Sequence, residues 1–175
     1  MITVRDISGN HNLIGLWYLS MLGCGRADKV FYAAPHDLQY VLDWSKDITI
    51  IGAFKDDVLI GTGFVNNIQD FTGDNWSRRR AEVGFGFLPN CSIFESLRAG
   101  REILDICFSK DGLGIDDMFG TTPEPNKQAV AYIRRIGLAL YGPIPNFTNY
   151  LGKHVGVYTS YISREQWNQQ RSKQQ

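Results

Sequence analysis

Residues 126–138 read NKQAVAYIRRIGL, and they follow a strand-like MFGTT at 118–122 and a proline-bracketed PEP at 123–125. Asn126 is a favourable N-cap, and Gly137 followed by Leu138 is a typical helix stop. We therefore predict a helix that begins at Asn126 and ends at Gly137. The stretch beyond it, LYGPIPNFTNYLGKHVGVYTSYI at 140–162, predicts two further strands.

Composition describes an ordinary globular domain. The chain has 175 residues, of which 43% are hydrophobic and 21% are charged, with 18 basic and 18 acidic side chains. Zero net charge gives no general attraction to nucleic acid or to an anionic membrane. Three cysteines without paired spacing predict free thiols in the cytoplasm rather than disulfides or a metal site. We predict one domain over residues 1–167 and a polar, disordered tail over 168–175.

The upstream half of the chain alternates strand and helix patterns. The predicted elements are a strand at 2–7, a helix at 11–22, an irregular stretch at 23–35, a short helix at 37–45, a hairpin at 47–68, a polar connection at 69–80, a strand at 81–89, a helix at 96–112 and a strand at 116–122. In the first helix, Leu13, Leu16, Trp17 and Met21 form the predicted buried stripe.

This order of elements resembles the GCN5-related N-acetyltransferases (the GNAT superfamily) over about residues 48–162, with the chain as a divergent member. The matching positions are Asn126, Ala129, Gly137, Gly142, Pro145, Asn146, Tyr150 and Gly152. The resemblance implies a mixed α/β (α+β) fold: a central mixed sheet with two splayed parallel strands, flanked by helices. The chain as a whole is also similar to GNAT-like proteins of tailed bacteriophages described as head-assembly or internal virion proteins.

In this superfamily the pantetheine arm of acetyl-CoA lies between the splayed strands, here near 82–88 and 118–122. The resemblance therefore implies cofactor contacts from the first strand and from the helix cap, at Val83, Gly84, Phe85, Gly86, Phe87 and Asn126. Alternation places Gly84 and Gly86 on one nearly bare face. Such a face suits the close approach of a ligand, or a helix packed tightly onto it. We favour the groove.

The superfamily's phosphate-binding loop is absent where it is expected. Ser92-Ile93-Phe94-Glu95 instead has the pattern of a capping box, in which the Ser and Glu side chains occupy the free N–H groups of the helix start. A glutamate there also repels a pyrophosphate. Arg98 and Arg101, one turn further on, are the candidate phosphate contacts.

Catalysis of acetyl transfer to an amine needs a base and an acid. Glu82 is the position at which many GNAT enzymes carry the base, with a solvated carboxylate beside Arg78–Arg80 as the alternative. The usual acidic Tyr position is Ile133, and the neighbouring Tyr132 is rotated about 100° around the helix. The resemblance places Asn146, Tyr150 and Tyr158 at the acceptor pocket, although structural packing is the alternative for each.

Three hypotheses follow for function. The first is an N-acetyltransferase that uses acetyl-CoA and acts on the amine of a small molecule, a protein N-terminus or a lysine. The second is a non-catalytic GNAT-fold protein of bacteriophage origin that acts in virion assembly, self-association or other protein contacts. The third, a nucleic-acid-binding module, depends on Arg78–Arg80 alone and is disfavoured by overall neutrality. We favour the enzyme.

Overall fold

A computed structural model describes residues 1–32 and 36–173. Residues 33–35, which end the predicted irregular stretch, and residues 174–175, which end the predicted tail, lie outside the described ranges. The strands are β1 (Ile2–Asp6), β2 (Thr49–Lys55), β3 (Val58–Gly73), β4 (Trp76–Phe87), β5 (Asp117–Pro123), β6 (Ala139–Tyr150) and β7 (Lys153–Ser163). The helices are α1 (His11–Gly23), α2 (Ala27–Val30), α3 (Leu38–Trp44), α4 (Ile93–Phe108), α5 (Lys127–Ile136) and α6 (Arg164–Ser172).

The seven strands form one mixed sheet in the order β1-β2-β3-β4-β5-β7-β6. Each neighbouring pair is antiparallel except β4 and β5, which run parallel because α4 crosses over between them. The fold is therefore the mixed α/β sheet flanked by helices that the sequence predicts. Within the described residues, no helix is both long and apolar enough to span a membrane.

Helices cover both faces of the sheet. Residues of α4, α5 and α6 pack with Val65, Ala81 and Met118 in the larger core. Residues of α1 and α3 pack with Ile50 and Phe54 in the second core on the opposite face. In α1 the buried positions are Ile14, Gly15, Trp17, Tyr18 and Met21. Leu16 was predicted to be buried but is 62% exposed. The buried stripe of α1 is therefore centred on a different face of the helix from the predicted one.

The predicted hairpin at 47–68 is confirmed, with its turn at Asp56 and Asp57, which have φ angles of 49° and 65°. The predicted polar connection at 69–80 is wrong. Strands β3 and β4 continue through it and pair as far as Gly73 and Trp76. Cross-strand side-chain contacts stabilise this polar ribbon, among them the Arg79–Asp70 ion pair at 2.7 Å.

Two helix boundaries also differ from prediction. Helix α4 ends at Phe108 rather than Gly112, because Ser109 adopts an extended conformation. Helix α6 continues through the predicted tail to Ser172. Its Trp167 is 2% exposed and donates a hydrogen bond to Asp105 at 2.8 Å, and Arg171 binds the same carboxylate at 2.8 Å. These anchors outweigh the polar composition of residues 168–172.

The parallel strands diverge as predicted. Pairing of β4 with β5 covers Arg80–Glu82 against Asp117–Phe119 and then stops, although β4 continues to Phe87 and β5 to Pro123. Each strand remains paired with its other neighbour beyond that point, β4 with β3 and β5 with β7. The sheet therefore opens into a wedge between Val83 and Gly120, and this wedge positions the candidate site.

Candidate active site

A cavity of about 710 Å³ passes through the wedge from one face of the sheet to the other. On the side of α4 and α5 it is lined by residues that include Ser96, Asn126, Ala129 and Tyr132. On the side of α1 to α3, aromatic residues and Glu82 line it. Such an opening connects two half-sites, one on each face, at the place where the strands separate.

The inner edge of β4 supplies free backbone groups to the wedge. Arg79 O accepts from Asp116 N on the β5 side, and Leu88 N donates to Ile60 O on the β3 side. Because backbone groups alternate in direction along a strand, Val83 and Phe85 direct their N–H and C=O groups toward β5. The ladder ends at the pair Glu82–Phe119, which in a parallel pattern uses Val83 N–H, so Val83 C=O and both backbone groups of Phe85 have no partner strand among the described residues. A ligand with amide groups would satisfy them.

The glycine face of β4 is covered by protein, contrary to the expectation of a ligand there. A Cβ on Gly84 would lie 2.0 Å from the Phe64 ring, and one on Gly86 would lie 2.5 Å from Trp17. Trp17 Nε1 also donates to Gly86 O at 3.0 Å. The alternative of a helix packed onto this face therefore holds for Gly86, which Trp17 of α1 covers, whereas the Phe64 ring of β3 covers Gly84. Both glycines still line the cavity.

The start of α4 carries the predicted capping box. Ser92 Oγ accepts from Glu95 N at 3.3 Å, and Glu95 accepts from Ser92 N at 2.8 Å. Glu95 also forms a 2.7 Å ion pair with Lys55 of β2. The hydrogen bond from Lys55, with those from Ser92, lowers the pKa of Glu95 to about 2. This helix start therefore holds a carboxylate where an anion site would need free N–H groups.

The lowered pKa of Glu95 predicts a pH-dependent contribution to stability. Its ordinary pKa is 4.5 and its folded value is about 2, so the charged form favours the folded state above pH 4.5 and this contribution is lost as the pH falls toward 2. We expect Glu95→Gln to lower the urea midpoint at pH 7, and the difference from wild type to shrink between pH 4.5 and pH 2. Equal midpoints at pH 7 would contradict the capping geometry.

The predicted phosphate contacts, Arg98 and Arg101, do not line the cavity. Arg98 pairs with Glu102 on its own helix at 2.9 Å, and Arg101 donates to Arg135 O at 3.3 Å. Neither is among the described residues that line the cavity, whereas Arg135 of α5 is. Arg135 has no ion pair within the described ranges. The cation that faces the α4–α5 half of the cavity is therefore Arg135.

Helix α5 begins and ends as predicted. Asn126 Oδ1 accepts from Ala129 N at 3.2 Å, and Gly137 closes the helix with a φ of 110°. Ile133 is buried in the core and contributes no acid. Tyr132 packs against the rings of Phe85 and Phe87 and donates to Ser96 O at 3.1 Å. Burial raises the pKa of Tyr132 well above its usual value.

Glu82 lies at the point where the strands separate, and it lines the cavity. Its carboxylate accepts from Asn67 Nδ2 at 2.8 Å. The arginines expected beside it are engaged elsewhere: Arg78 with buried Asp117 at 2.8 Å and Arg79 with Asp70 at 2.7 Å. Because Arg78 and Arg79 are paired with carboxylates, the Arg78–Arg80 run offers little free positive charge to a nucleic acid. The Glu82 carboxylate therefore faces the cavity without a guanidinium partner within the described ranges.

Tyr32 is a site residue that the sequence reasoning missed. Its hydroxyl lies 3.3 Å from Thr121 Oγ1 of β5, one residue past the start of the wedge. Burial raises the pKa of Tyr32, and the negative charge of Glu82 adds to that effect. The phenol is therefore protonated at neutral pH. Position 32 falls in a stretch that lacks a periodic pattern, so only the three-dimensional structure brings it to β5.

The three predicted acceptor residues lie outside the described lining of the cavity. Asn146 is exposed in β6, where the register with β7 shifts. Tyr158 is half-buried in β7 opposite Thr122. Tyr150 packs edge-to-face on Tyr32, with ring centroids 5.7 Å apart. Of the three, Tyr150 reaches the site indirectly, because it supports Tyr32.

The element order, the wedge between β4 and β5 and the cavity through it match the fold that the resemblance to the GNAT superfamily implies. The chain is similar to a spermidine N-acetyltransferase from Vibrio cholerae solved with CoA and spermine, with 16% identity, a TM-score of 0.71 and coverage of 95% of this chain and 98% of that one. It is also similar to a ribosomal-protein-S5-alanine acetyltransferase from Vibrio fischeri, with 13% identity, a TM-score of 0.71 and coverage of 95% and 94%.

An N-acetyltransferase from Staphylococcus aureus Mu50 gives 10% identity, a TM-score of 0.65 and coverage of 94% of this chain and 99% of that one. No family model matches the sequence, and no curated protein matches it. The similarity therefore resides in the three-dimensional fold, over nearly the whole chain, with little similarity in sequence.

Proposed function

We propose that this protein transfers an acetyl group from acetyl-CoA to an amine. The observation that carries the proposal is the cavity through the β4–β5 wedge, which joins unpaired backbone groups on one side to the Glu82 carboxylate on the other. The solved neighbours are N-acetyltransferases by name, and one of them was solved with CoA. Their chemistry fits a site with this arrangement.

The wedge fits the pantetheine arm of the donor. Backbone groups of Val83 and Phe85 would bind its amides, and the rings of Phe85 and Tyr132 would contact its apolar atoms. The phosphates of acetyl-CoA would not bind at the start of α4, because the capping box of Ser92 and Glu95 occupies its N–H groups. Arg135 is the described cation that would meet the phosphates there. Bound in the wedge, acetyl-CoA supplies the activated acetyl thioester.

Two side chains would move the protons. Glu82 would accept a proton from the ammonium of the acceptor, which frees the nitrogen lone pair to attack the carbonyl carbon. As the carbon–sulfur bond breaks, Tyr32 would donate its phenolic proton to the leaving thiolate. The second proton that the nitrogen loses as the amide forms would return to Tyr32 through water. Because burial raises the pKa of Tyr32, the phenol enters the reaction protonated. Ile133, at the family's usual acid position, has no proton to give.

The transfer is tested by incubating the protein with acetyl-CoA and a panel of amines and measuring N-acetylated product by mass spectrometry. Product detection is preferred to thiol titration because Cys24 is exposed and free. We expect product that depends on protein, donor and amine together. Absence of product across aliphatic, aromatic, polyamine and peptide acceptors would refute the proposed activity.

A matched pair of arginine variants tests the donor's phosphate end. We expect Arg135→Ala to weaken acetyl-CoA binding by about tenfold, the usual effect of losing one charge-assisted contact worth about 1.4 kcal/mol. Arg98→Ala is the control and should leave the Kd unchanged, because Arg98 pairs with Glu102 away from the cavity. Isothermal titration calorimetry measures both. If Arg98→Ala weakened acetyl-CoA binding and Arg135→Ala did not, the phosphate contact would be Arg98 of α4.

The capping box supports a second candidate, a GNAT-fold protein that does not bind CoA and acts through protein contacts, as in bacteriophage virion assembly. A helix start whose N–H groups are occupied, with an ion-paired carboxylate beside it, disfavours a pyrophosphate. In the first candidate the protein works in the cytoplasm on a small amine or on a protein amine. In the second it works in the host cytoplasm or the virion.

A further inference from the structure

The half of the cavity that faces α1–α3 has an aromatic wall. Its members come from three separate segments and share only their position on this side of the wedge: Phe31, Tyr32, Tyr40, Trp44 and Phe64. In the proposed transfer the ammonium of the acceptor meets Glu82, which lies on this side of the wedge. The wall therefore determines which amines fit beside that carboxylate, an argument that rests on the proposed acetyl transfer.

The wall is rigid because its rings pack against one another and against the core. Trp44 meets Phe31 at 5.2 Å and Phe64 at 5.4 Å, in nearly perpendicular pairs. Phe31 also packs on His36 at 5.3 Å. His36 is itself held by Tyr18, whose hydroxyl is 3.0 Å from Nδ1, and by Asp28, whose carboxylate is 3.1 Å from Nε2. An apolar acceptor group would enter a preformed surface at little cost in ordering.

The charges around the cavity favour an acceptor with one ammonium group. Among the described lining residues the only carboxylate is Glu82, whereas Arg26, Lys29 and Arg135 are cationic. A polyamine would bring second and third ammonium groups that find no counter-ion and meet Arg26 and Lys29 on the same side. A monoamine brings one charge, which Glu82 neutralises. The wall beside Glu82 offers aromatic contact to the rest of that molecule.

We propose that the acceptor is a primary monoamine with an aromatic or similarly large apolar group, an arylalkylamine in chemical class, rather than a polyamine. The ammonium would lie at Glu82, and the ring would pack against Trp44, Phe31 and Phe64. Burial of a ring supplies most of the discrimination, because even a single methylene in an apolar pocket changes specificity by about 10-fold or more.

The experiment compares kcat/KM for 2-phenylethylamine, ethylamine and spermidine at saturating acetyl-CoA. Ethylamine has the same ammonium without the ring, and spermidine has additional charges. We expect 2-phenylethylamine to exceed both by about 100-fold. A kcat/KM for spermidine or ethylamine equal to or higher than that for 2-phenylethylamine would overturn the proposed aromatic acceptor. It would not contradict the proposed acetyltransferase activity. No product with any amine would refute the activity itself, and the acceptor class with it.

Substitutions in the aromatic wall test whether its residues determine the preference for the aromatic amine. Trp44→Leu should reduce the preference for 2-phenylethylamine over ethylamine at least tenfold, mainly through KM of the aromatic amine. Trp76→Leu is the matched control, because Trp76 is 57% exposed in the distant β3–β4 ribbon. Tyr40→Ser is a second wall variant at a position that is 41% exposed and so tolerates change if Trp44→Leu fails to fold. An unchanged preference in the folded wall variants would overturn the proposal.

Discussion

Glu82→Gln is expected to lower kcat by about 10²–10⁴-fold while the Kd for acetyl-CoA stays within about twofold of wild type. The amide cannot take a proton from the acceptor ammonium, so the nitrogen lone pair is no longer freed at the site. The fold should survive, because the amide oxygen of Gln can still accept the 2.8 Å hydrogen bond from Asn67. Turnover and calorimetric binding on the same preparation measure the two quantities separately.

Two comparisons make that result specific. Glu102→Gln changes a carboxylate that pairs with Arg98 on the outside of α4, and it should leave kcat unchanged. In Glu82→Gln the remaining rate should rise with pH, because hydroxide and free amine replace the missing base. A wild-type kcat in Glu82→Gln would contradict the role of Glu82 as the base and would leave it a solvated residue of the strand.

Tyr32→Phe is expected to lower kcat by about 10²-fold, because the leaving thiolate loses its proton donor while the ring and its packing remain. Tyr150→Phe is the matched control: Tyr150 packs on Tyr32 but lies outside the described cavity lining. It should retain most of the activity. Equal losses in both variants would mean that removing either hydroxyl disturbs this ring pair, and would contradict the role of Tyr32 as the proton donor.

A change of leaving group separates acid catalysis from a structural effect. A thioester of a nitrothiophenol releases a thiolate that is stable without protonation. With such a donor, the difference between wild type and Tyr32→Phe should become much smaller than with acetyl-CoA. A loss of the same size with both donors would contradict the assignment of Tyr32 as the acid.

The parts of the fold that could be predicted from sequence are those fixed by local signals. Asn126 and Gly137 bracket α5, Asp56-Asp57 marks the β2–β3 turn, and Ser92 with Glu95 marks the start of α4. Each depends on capping or turn chemistry within a few residues. The parallel β4–β5 pair followed from the helix between two strands, since such crossovers link parallel strands.

Features that depend on contacts between distant segments were missed. The β3–β4 ribbon is polar along its length and is held by cross-strand pairs such as Asp70 with Arg79, which no local pattern indicates. The end of α6 depends on Asp105 of α4, although Ser163 and Gln166 carry a capping-box pattern that was available in the sequence.

The candidate site divides in the same way. Glu82 and the β4 residues could be predicted to lie at the wedge, because the resemblance specified which strands separate. Tyr32 and Arg135 could not be found, because their places depend on how the α2–α3 segment and α5 pack around the opening. Arg98 and Arg101 were chosen by their distance along α4, and neither lines the cavity, because Arg98 pairs with Glu102 and Arg101 donates to Arg135 O.

The central claim is that the acyl donor binds in the wedge between β4 and β5. Its most direct test is a calorimetric titration of acetyl-CoA into wild type, Ala129→Trp and Lys127→Trp. Ala129 lines the donor half of the cavity, so a Trp there fills it, whereas Lys127 is exposed at the same helix start and outside the described lining. We expect wild type and Lys127→Trp to bind with similar Kd values and Ala129→Trp to bind at least tenfold more weakly. No binding to wild type, or equal binding to all three proteins, would contradict the claim.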